Sequence, residues 1–507
     1  MFLRRAQNMD NITNNTPEQV SSSSAAGRAD ERPHTIPALK EWSPGSEAYT
    51  FRSQARILLA AASSQQVEMV GDVLADDIEH LTGLRLPVLA ASDTQPGDIV
   101  LQLDPDEETP GAEGYTLSIA PTCIIRARTG QGLFNGTRTL LQLLRQGTTL
   151  RGGVARDWPD YPERSLMVDM GRKYFSARWL ENHIRELAYL KYNFFHFHLS
   201  DNDGFRLESE RHPEIVSPDH YTKEQMRALI ELARHYHITI VPEIEMPGHM
   251  DTILAAHPDL QLVSVTGRRR PGDIDLSQEA SYQLLQDLLE EYLPLFPGPY
   301  WHIGADEYIN WEVYENYPQL LTYAQHKYGP GANAKDSYLG FVNWANEIVK
   351  SHGKVTRAWN DGLHSGAAVT VASDITVEHW FHAGLTPQEL VARDHAIMNC
   401  NADYLYYVLH RHEHWRAAPD ALYNAFEPQR FHGLGAIDPQ HPRLLGAKLH
   451  VWCDKPEWET EEQVAEGIRC PLRSLAQKNW GAPALTTAYD TFLPIIERIG
   501  RAPGYAT

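Results

Sequence analysis

The run WHIGADEY, residues 301–308, ends a short apolar stretch on two adjacent carboxylates, Asp306 and Glu307. Charged side chains are ordinarily solvated, so a surface acidic loop is one reading and a pair that moves protons is the other. Consecutive residues of a strand point to opposite sides. The two carboxyls therefore do not suit the roles of acid and nucleophile flanking one scissile bond at about 5 Å separation. Either a third carboxylate is the nucleophile or the substrate supplies its own. Polar and aromatic residues also gather at the ends of other apolar runs: Asp169 with Arg172, Asp201, Glu245 with His249, Trp359 with Asp361, Trp380, Tyr404 and Tyr406, and Trp452 with Asp454. Aromatic rings stack on the apolar faces of pyranoses while carboxylates read hydroxyls and carry protons. The combination points to a sugar site.

The elements that must position these residues alternate regularly. Apolar runs at 164–171, 194–201, 239–246, 300–307, 355–361, 376–381, 396–402 and 449–454 read as strands, with helical segments between most of them. In SARWLENHIRELAYLKY, Ser176 is a helix cap and Leu180, Ile184, Leu187 and Leu190 share one face. Eight strands alternating with helices predict an α/β fold, a (β/α)8 TIM barrel, whose active site lies at the carboxyl ends of the strands. An open doubly wound sheet would call for a GxGxxG turn, and the sequence has none.

A chain of 507 residues exceeds what one core usually covers. Residues 1–33, rich in Ser, Asn and Thr, read as a disordered leader. Residues 34–157 mix strands (ARILLAA, GDIVLQL), a helix ending at Gly83 and a hairpin (GYTLSIAPTCIIRAR), which predicts a small α+β accessory domain; residues 158–507 are the expected barrel. A net charge of −21 argues against a nucleic-acid or anionic-membrane partner. The four cysteines form no CxxC pair, which suggests a reduced compartment. No apolar run follows the basic residues of MFLRRAQN, so no signal peptide is visible and a cytoplasmic location is favoured.

The ordered series RSLMVDMGRKYF, LKYNFFHFHLSDNDGFRLE, VPEIEMPGH, HIGADE and VWCD resembles the glycoside hydrolase family 20 β-N-acetylhexosaminidases. The resemblance covers most of residues 160–480, and residues 113–144 look like that family's small amino-terminal α/β domain. It implies a retaining enzyme that needs no cofactor or metal and acts on terminal β-linked N-acetylhexosamine of an oligosaccharide or glycoconjugate. The implied mechanism is substrate-assisted: the 2-acetamido oxygen attacks C1 to give an oxazolinium. Glu307 would then be the acid and base, and Asp306 would accept the acetamido N–H. Asp201 and His249 would support Glu307 from behind. Arg164 would grip sugar hydroxyls, with an interdomain salt bridge as its other reading. Trp359, Trp380 and Trp452 would wall the pocket, and either Tyr404 or Tyr406 would bind the acetamido oxygen.

Several positions depart from the family pattern. Ala305 replaces the second Gly of Gly-Gly-Asp-Glu, and Phe205 stands where a Trp is frequent. Asp454 follows Trp452 where Glu is usual. The carboxylate two residues after the tyrosine becomes Tyr406 or Val408, depending on register. The losses resemble the family's lacto-N-biosidase branch, which takes Gal-β1,3-GlcNAc, and this is the main alternative. Gly304 and Ala305 are expected to keep the strand slim where the sugar ring approaches. Two remoter readings are a metal-dependent barrel hydrolase built on His196 and His198, and a non-catalytic sugar-binding module. The oligomeric state is left open.

Overall fold

In a computed structural model the chain is described over residues 32–60, 65–309, 313–409, 415–433 and 435–506. The leader expected at 1–33 lies almost wholly outside the described residues. Eight parallel strands follow in chain order: β1 Glu163–Asp169, β2 Phe194–His198, β3 Thr239–Met246, β4 Tyr300–Gly304, β5 Val355–Trp359, β6 Thr376–His379, β7 Ile397–Asn399 and β8 Leu444–Trp452. Leu166 of β1 pairs with Phe195 of β2 on one side and Leu449 of β8 on the other, which closes the barrel.

Local chemistry sets the helices between them. Ser176 caps the helix Ala177–Tyr189 by accepting from the Trp179 N–H, and Leu180, Ile184 and Leu187 are buried on it. Thr222 and Gln225 form a reciprocal capping box on Lys223–His235.

The seventh strand is not continuous. A helical turn, Ala402–Leu405, interrupts it, and Tyr406–Val408 then resumes beside β8 with Tyr406 opposite His450 and Val408 opposite Trp452. The lower half of β8 is paired by β7, with Ile397 opposite Leu444.

The barrel interior is charged rather than oily. Arg357 donates to Glu378 at 2.7 Å and to Glu163 at 2.8 Å, and the Lys448 ammonium donates to Glu378 at 2.7 Å and to His196 at 2.8 Å. His302 Nδ1 lies 2.7 Å from Glu243, and the Trp359 indole donates to the same carboxylate at 2.9 Å. Both signs are present and interleaved, which is what allows such groups to stay buried. His196 and His198, considered above as metal ligands, belong to this network. His198 stands between Glu243 and Asp201, and His196 holds Lys448.

A seven-stranded mixed sheet precedes the barrel. It includes Ile57–Leu59, Ile99–Leu103 and the antiparallel hairpin Tyr115–Ile119 with Cys123–Ala127, and the helices Gln65–Thr82 and Gly130–Gln146 pack on it. Gly83 ends the first helix at φ 77°, a left-handed conformation that costs glycine little.

Arg164 belongs to the contact between these two units and not to a substrate pocket. It lies near the amino end of β1, 1% exposed, with Nε donating to the Lys191 carbonyl at 2.7 Å, Nη1 to the Tyr161 carbonyl at 2.8 Å, and Nη2 to Glu113 of the preceding unit. Its guanidinium also lies over the Trp480 ring. The expectation that Arg164 holds sugar hydroxyls is therefore corrected. A residue at the start of a seven-residue strand is roughly 20 Å from the end where the site forms.

Candidate functional site

The carboxyl ends of the strands enclose a cavity of about 210 Å³. Asp306, Glu307, Asp201, His249, Trp380, Tyr406, Trp452 and Asp454 all line it, together with Arg172, Glu245, Val408 and Trp415. The cavity thus brings together most of the residues singled out in the sequence.

Asp306 and Glu307 follow β4 on an unusual backbone. Gly304, Ala305 and Glu307 have φ of 69°, 72° and 52°, all left-handed. A non-glycine residue there costs roughly 1–2 kcal/mol, so the segment is held by its surroundings. The Tyr338 hydroxyl donates to the Ala305 carbonyl, and the Glu307 N–H donates to Asp361 at 3.0 Å. The reason for Gly304 differs from the one expected. A Cβ at that position would meet the Glu245 carboxylate at 1.9 Å, so the glycine makes room for a buried acid of the neighbouring strand rather than for the sugar.

His249 links the acids. Its Nδ1 lies 3.2 Å from Asp201, and its Nε2 lies 3.4 Å from Glu307 and 3.9 Å from Asp306. Asp201 is itself fixed by His198 Nε2 at 2.9 Å, by Arg172 at 2.9 Å and by the Asn202 N–H at 2.6 Å. Burial alone would strip the His249 proton, but the Asp201 carboxylate, with its charge and its hydrogen bond, outweighs it and holds the imidazole protonated. Burial likewise works against a charge on Glu307, yet the hydrogen bond and charge of His249 bring its carboxyl below the ordinary value. For Asp306, burial dominates; His249 offsets it in part, Asp361 and Glu307 add to it, and its carboxyl is pushed up to about 8. The adjacent acids are therefore electrostatically distinct. In the empty cavity one carries a proton and the other pairs with an imidazolium. Glu245 beneath them is held neutral by burial first, with the Glu243 carboxylate adding to it.

Arg172, not Arg164, is the guanidinium at the cavity. It follows the end of β1 by three residues, donates to Asp169 at 2.8 Å, pairs with Asp201 at 2.9 Å and reaches 3.9 Å from Asp454. Its guanidinium also lies over the Trp452 ring.

The aromatic wall is Trp380, Tyr406, Trp452 and Trp415. Trp380 and Tyr406 lie nearly parallel at 6.1 Å, and the Trp380 indole is aimed by a hydrogen bond to Asp361 at 3.2 Å. The pairing of Tyr406–Val408 with β8 brings one of the two tyrosines to the cavity. Tyr406 and Val408 face the cavity, whereas Tyr407 points away to Glu459 at 2.7 Å. Tyr404 sits in the interrupting helical turn and packs on Phe426. Trp359 is also corrected: at 1% exposure it lies under the wall, its ring 5.9 Å from Trp452, and it does not line the cavity.

Trp415 was not singled out in the sequence, and only its position after the resumed strand brings it to the cavity. Arg172 was placed at the end of β1 by the sequence, but the role of reading hydroxyls was given to Arg164 alone.

The chain matches the family models "Glycosyl hydrolase family 20, catalytic domain" over residues 161–480 and "Glycosyl hydrolase family 20, domain 2" over residues 32–158. It is 30% identical to a lacto-N-biosidase of Bifidobacterium bifidum over 473 residues, which is 92% of this chain and 42% of that protein. It is 28% identical to a beta-hexosaminidase of Porphyromonas gingivalis, covering 63% of this chain and 44% of that one. The chain thus spans less than half the length of these two relatives. Among solved structures, the β-N-acetylhexosaminidase of Streptomyces coelicolor superposes with a TM-score of 0.72 at 25% identity, covering 92% of this chain and 96% of that one. An exo-β-N-acetylglucosaminidase of Vibrio harveyi reaches 0.76 at 21% identity, covering 95% and 80%. A barrel closed around paired acids, with a second matching unit before it, thus meets sequence likeness over nearly its whole length, and the chain belongs to glycosyl hydrolase family 20.

Proposed function

We propose that this chain is a retaining β-N-acetylhexosaminidase that removes terminal β-linked N-acetylhexosamine by substrate-assisted catalysis. The observation that carries the reading is one cavity in which Glu307 lies 3.4 Å from His249 while Asp306, its neighbour in sequence, is half-buried beside an aromatic wall. The acetamido N–H of a bound substrate donates to Asp306 and favours its ionised form. The proton it held is then available to Glu307, so the count of protons on the pair does not change. Glu307 passes a proton to the leaving oxygen as the acetamido oxygen closes on C1, and Asp306 balances the positive charge of the oxazolinium. Water, deprotonated by Glu307, then opens the ring with retention. Arg172 reads sugar hydroxyls, and the Tyr406 hydroxyl donates to the acetamido oxygen. Asp201 and His249 orient and charge the acid pair.

A second reading, release of Gal-β1,3-GlcNAc, draws on Val408, an apolar residue at a cavity position where the family's hydroxyl-reading carboxylate is usual, and on the similarity to a lacto-N-biosidase. Arg172 at the cavity keeps the monosaccharide reading first. The test is product analysis on diacetylchitobiose and lacto-N-tetraose, with Glu307→Gln as the control. Release of free N-acetylglucosamine from chitobiose, lost by at least about 10²-fold in the variant, is expected. Disaccharide from the tetraose without turnover of chitobiose would reverse the order of the two readings. Activity undiminished in the variant would overturn the assignment of Glu307.

A further inference from the structure

Away from the cavity, two loops on the carboxyl side of the barrel bring two imidazoles onto one carboxylate oxygen. His212 lies in the loop after β2 and His257 ends the short helix Asp251–Ala256 after β3. Each precedes a proline that opens a 3-10 turn, Pro213–Ile215 and Pro258–Leu260, and the two backbones nearly coincide at φ −133°, ψ 61° and φ −123°, ψ 58°. Glu214 reaches between them. Its Oε1 lies 3.1 Å from His212 Nδ1 and 3.0 Å from His257 Nε2.

The far side of the His212 ring makes this arrangement informative. Its Nε2 lies 3.3 Å from Asp287 Oδ2, a carboxylate fixed by Arg211 at 3.2 Å and Gln283 at 3.1 Å. An imidazole that donates Nε2–H to Asp287 presents the lone pair of Nδ1 to Glu214. Two acceptors then face each other unless a proton or a metal cation lies between them. A carboxylate behind a ligating imidazole is also what fixes tautomer and ring orientation in metal sites. Bond lengths of about 2.0–2.1 Å to a tetrahedral metal put neighbouring ligand atoms roughly 3.3 Å apart, and the three donor atoms here lie within 4.8 Å of one another. All three side chains are partly exposed, which leaves an entry path and room for a water ligand.

We propose that His212, Glu214 and His257 bind a divalent transition-metal cation of the Zn²⁺ class, with water in the fourth position. The ion would join the loop after β2 to the helix Asp251–Ala256, whose amino end directly follows His249 and Met250. It would act as a staple beneath the rim of the cavity and take no part in the chemistry there.

The full chain, stripped with a chelator, would be titrated with Co²⁺ and followed by the visible absorption of tetrahedral cobalt, then challenged with Zn²⁺. One saturable site per chain is expected in the wild type, displaced by Zn²⁺ and unchanged in His352→Ala, which alters an exposed histidine elsewhere. Glu214→Gln, a partly exposed and nearly isosteric change that keeps the fold, is expected to weaken binding at least tenfold. The double variant His212→Ala/His257→Ala is expected to abolish the absorption. An undiminished signal in Glu214→Gln and the double variant would place the ion elsewhere. Absence of saturable binding in the wild type would mean that a proton, and not a metal, bridges the cluster. Either result overturns the proposal.

Discussion

Replacing Asp306 by Asn is expected to make the unliganded protein more resistant to heat, and increasingly so as the pH rises. The carboxyl is half-buried and desolvated, and its titration moves from an ordinary 3.8 to about 8 in the folded chain. The folded state thus binds this proton more tightly than the unfolded state. Below pH 3.8 both states hold it and nothing is gained or lost. Between 3.8 and about 8 the unfolded chain releases the proton and the folded chain keeps it, so stability declines as pH rises, and above about 8 the full penalty stands. At about 1.36 kcal/mol per pH unit the ceiling is roughly 5.5 kcal/mol above pH 8 and roughly 1.6 kcal/mol at pH 5. Asp306 interacts with two other raised acids, Asp361 and Glu245, which share the change, and halving the ceilings gives about 2.8 and 0.8 kcal/mol. Asn keeps the shape and removes the titration. With an unfolding entropy of about 2.1 cal/mol/K per residue, a chain of this length gains roughly 1 °C per kcal/mol. Calorimetry of the two proteins should show a gap in Tm of under about 1 °C at pH 5 and about 2–3 °C at pH 8.5. Activity should fall by at least about 10²-fold in the same variant. A variant that is less stable at both pH values, or a gap that does not grow with pH, would refute the account of a strained acid at this position.

Other substitutions separate positions that the sequence made hard to tell apart. Arg172→Gln removes charged hydrogen bonds at the cavity and should lower kcat/KM by about 10²-fold, close to 3 kcal/mol, in steady-state assays. Arg164→Ala should leave KM unchanged while costing about 3–5 kcal/mol in denaturant unfolding, because it leaves Glu113 opposite an empty site and breaks a buried pair. Tyr406→Phe should lower kcat about 10- to 100-fold, whereas Tyr404→Phe should remain within about twofold of the parent. Equal losses in the two tyrosine variants would contradict the orientation of the resumed strand.

The alternation of apolar runs was sufficient to predict the barrel, because each strand is covered on both faces and each helix needs an apolar stripe. The paired acids were legible for the same reason: they follow the last apolar residue of β4 directly. Trp359 was misplaced because a sequence gives the end of a strand only to within a residue or two; as the last residue of β5 its ring packs beneath Trp452 instead of lining the cavity. Arg164 lies near the amino end of β1 and Arg172 past its carboxyl end, and the sugar role was given to Arg164, whose other reading, a salt bridge between units, is the one the structure shows. Strand direction alone tells them apart, since only the residue past the carboxyl end can reach the site. The choice between Tyr404 and Tyr406 was not legible, because it depends on a helical turn inside a strand, and nothing in DYLYYV marks where pairing resumes. The His-Pro repeats at 212 and 257 carry no signal until the fold brings them together.

The contact beneath the barrel has a consequence for how this protein can be cut or recombined. Arg164 is matched by Glu113, and the fully buried Lys191 ammonium donates to Asp157 at 2.7 Å and to the Tyr115 hydroxyl at 2.8 Å, while the Trp480 indole donates to the same aspartate. The counter-charges for two cations of the barrel are thus held by the chain that precedes it. A barrel expressed without that chain would begin folding with two buried positive charges and no anions to answer them. The preceding sheet is therefore inherited with the barrel as a necessary floor, and gene fusions that preserve solubility should join this chain outside both units, never between them.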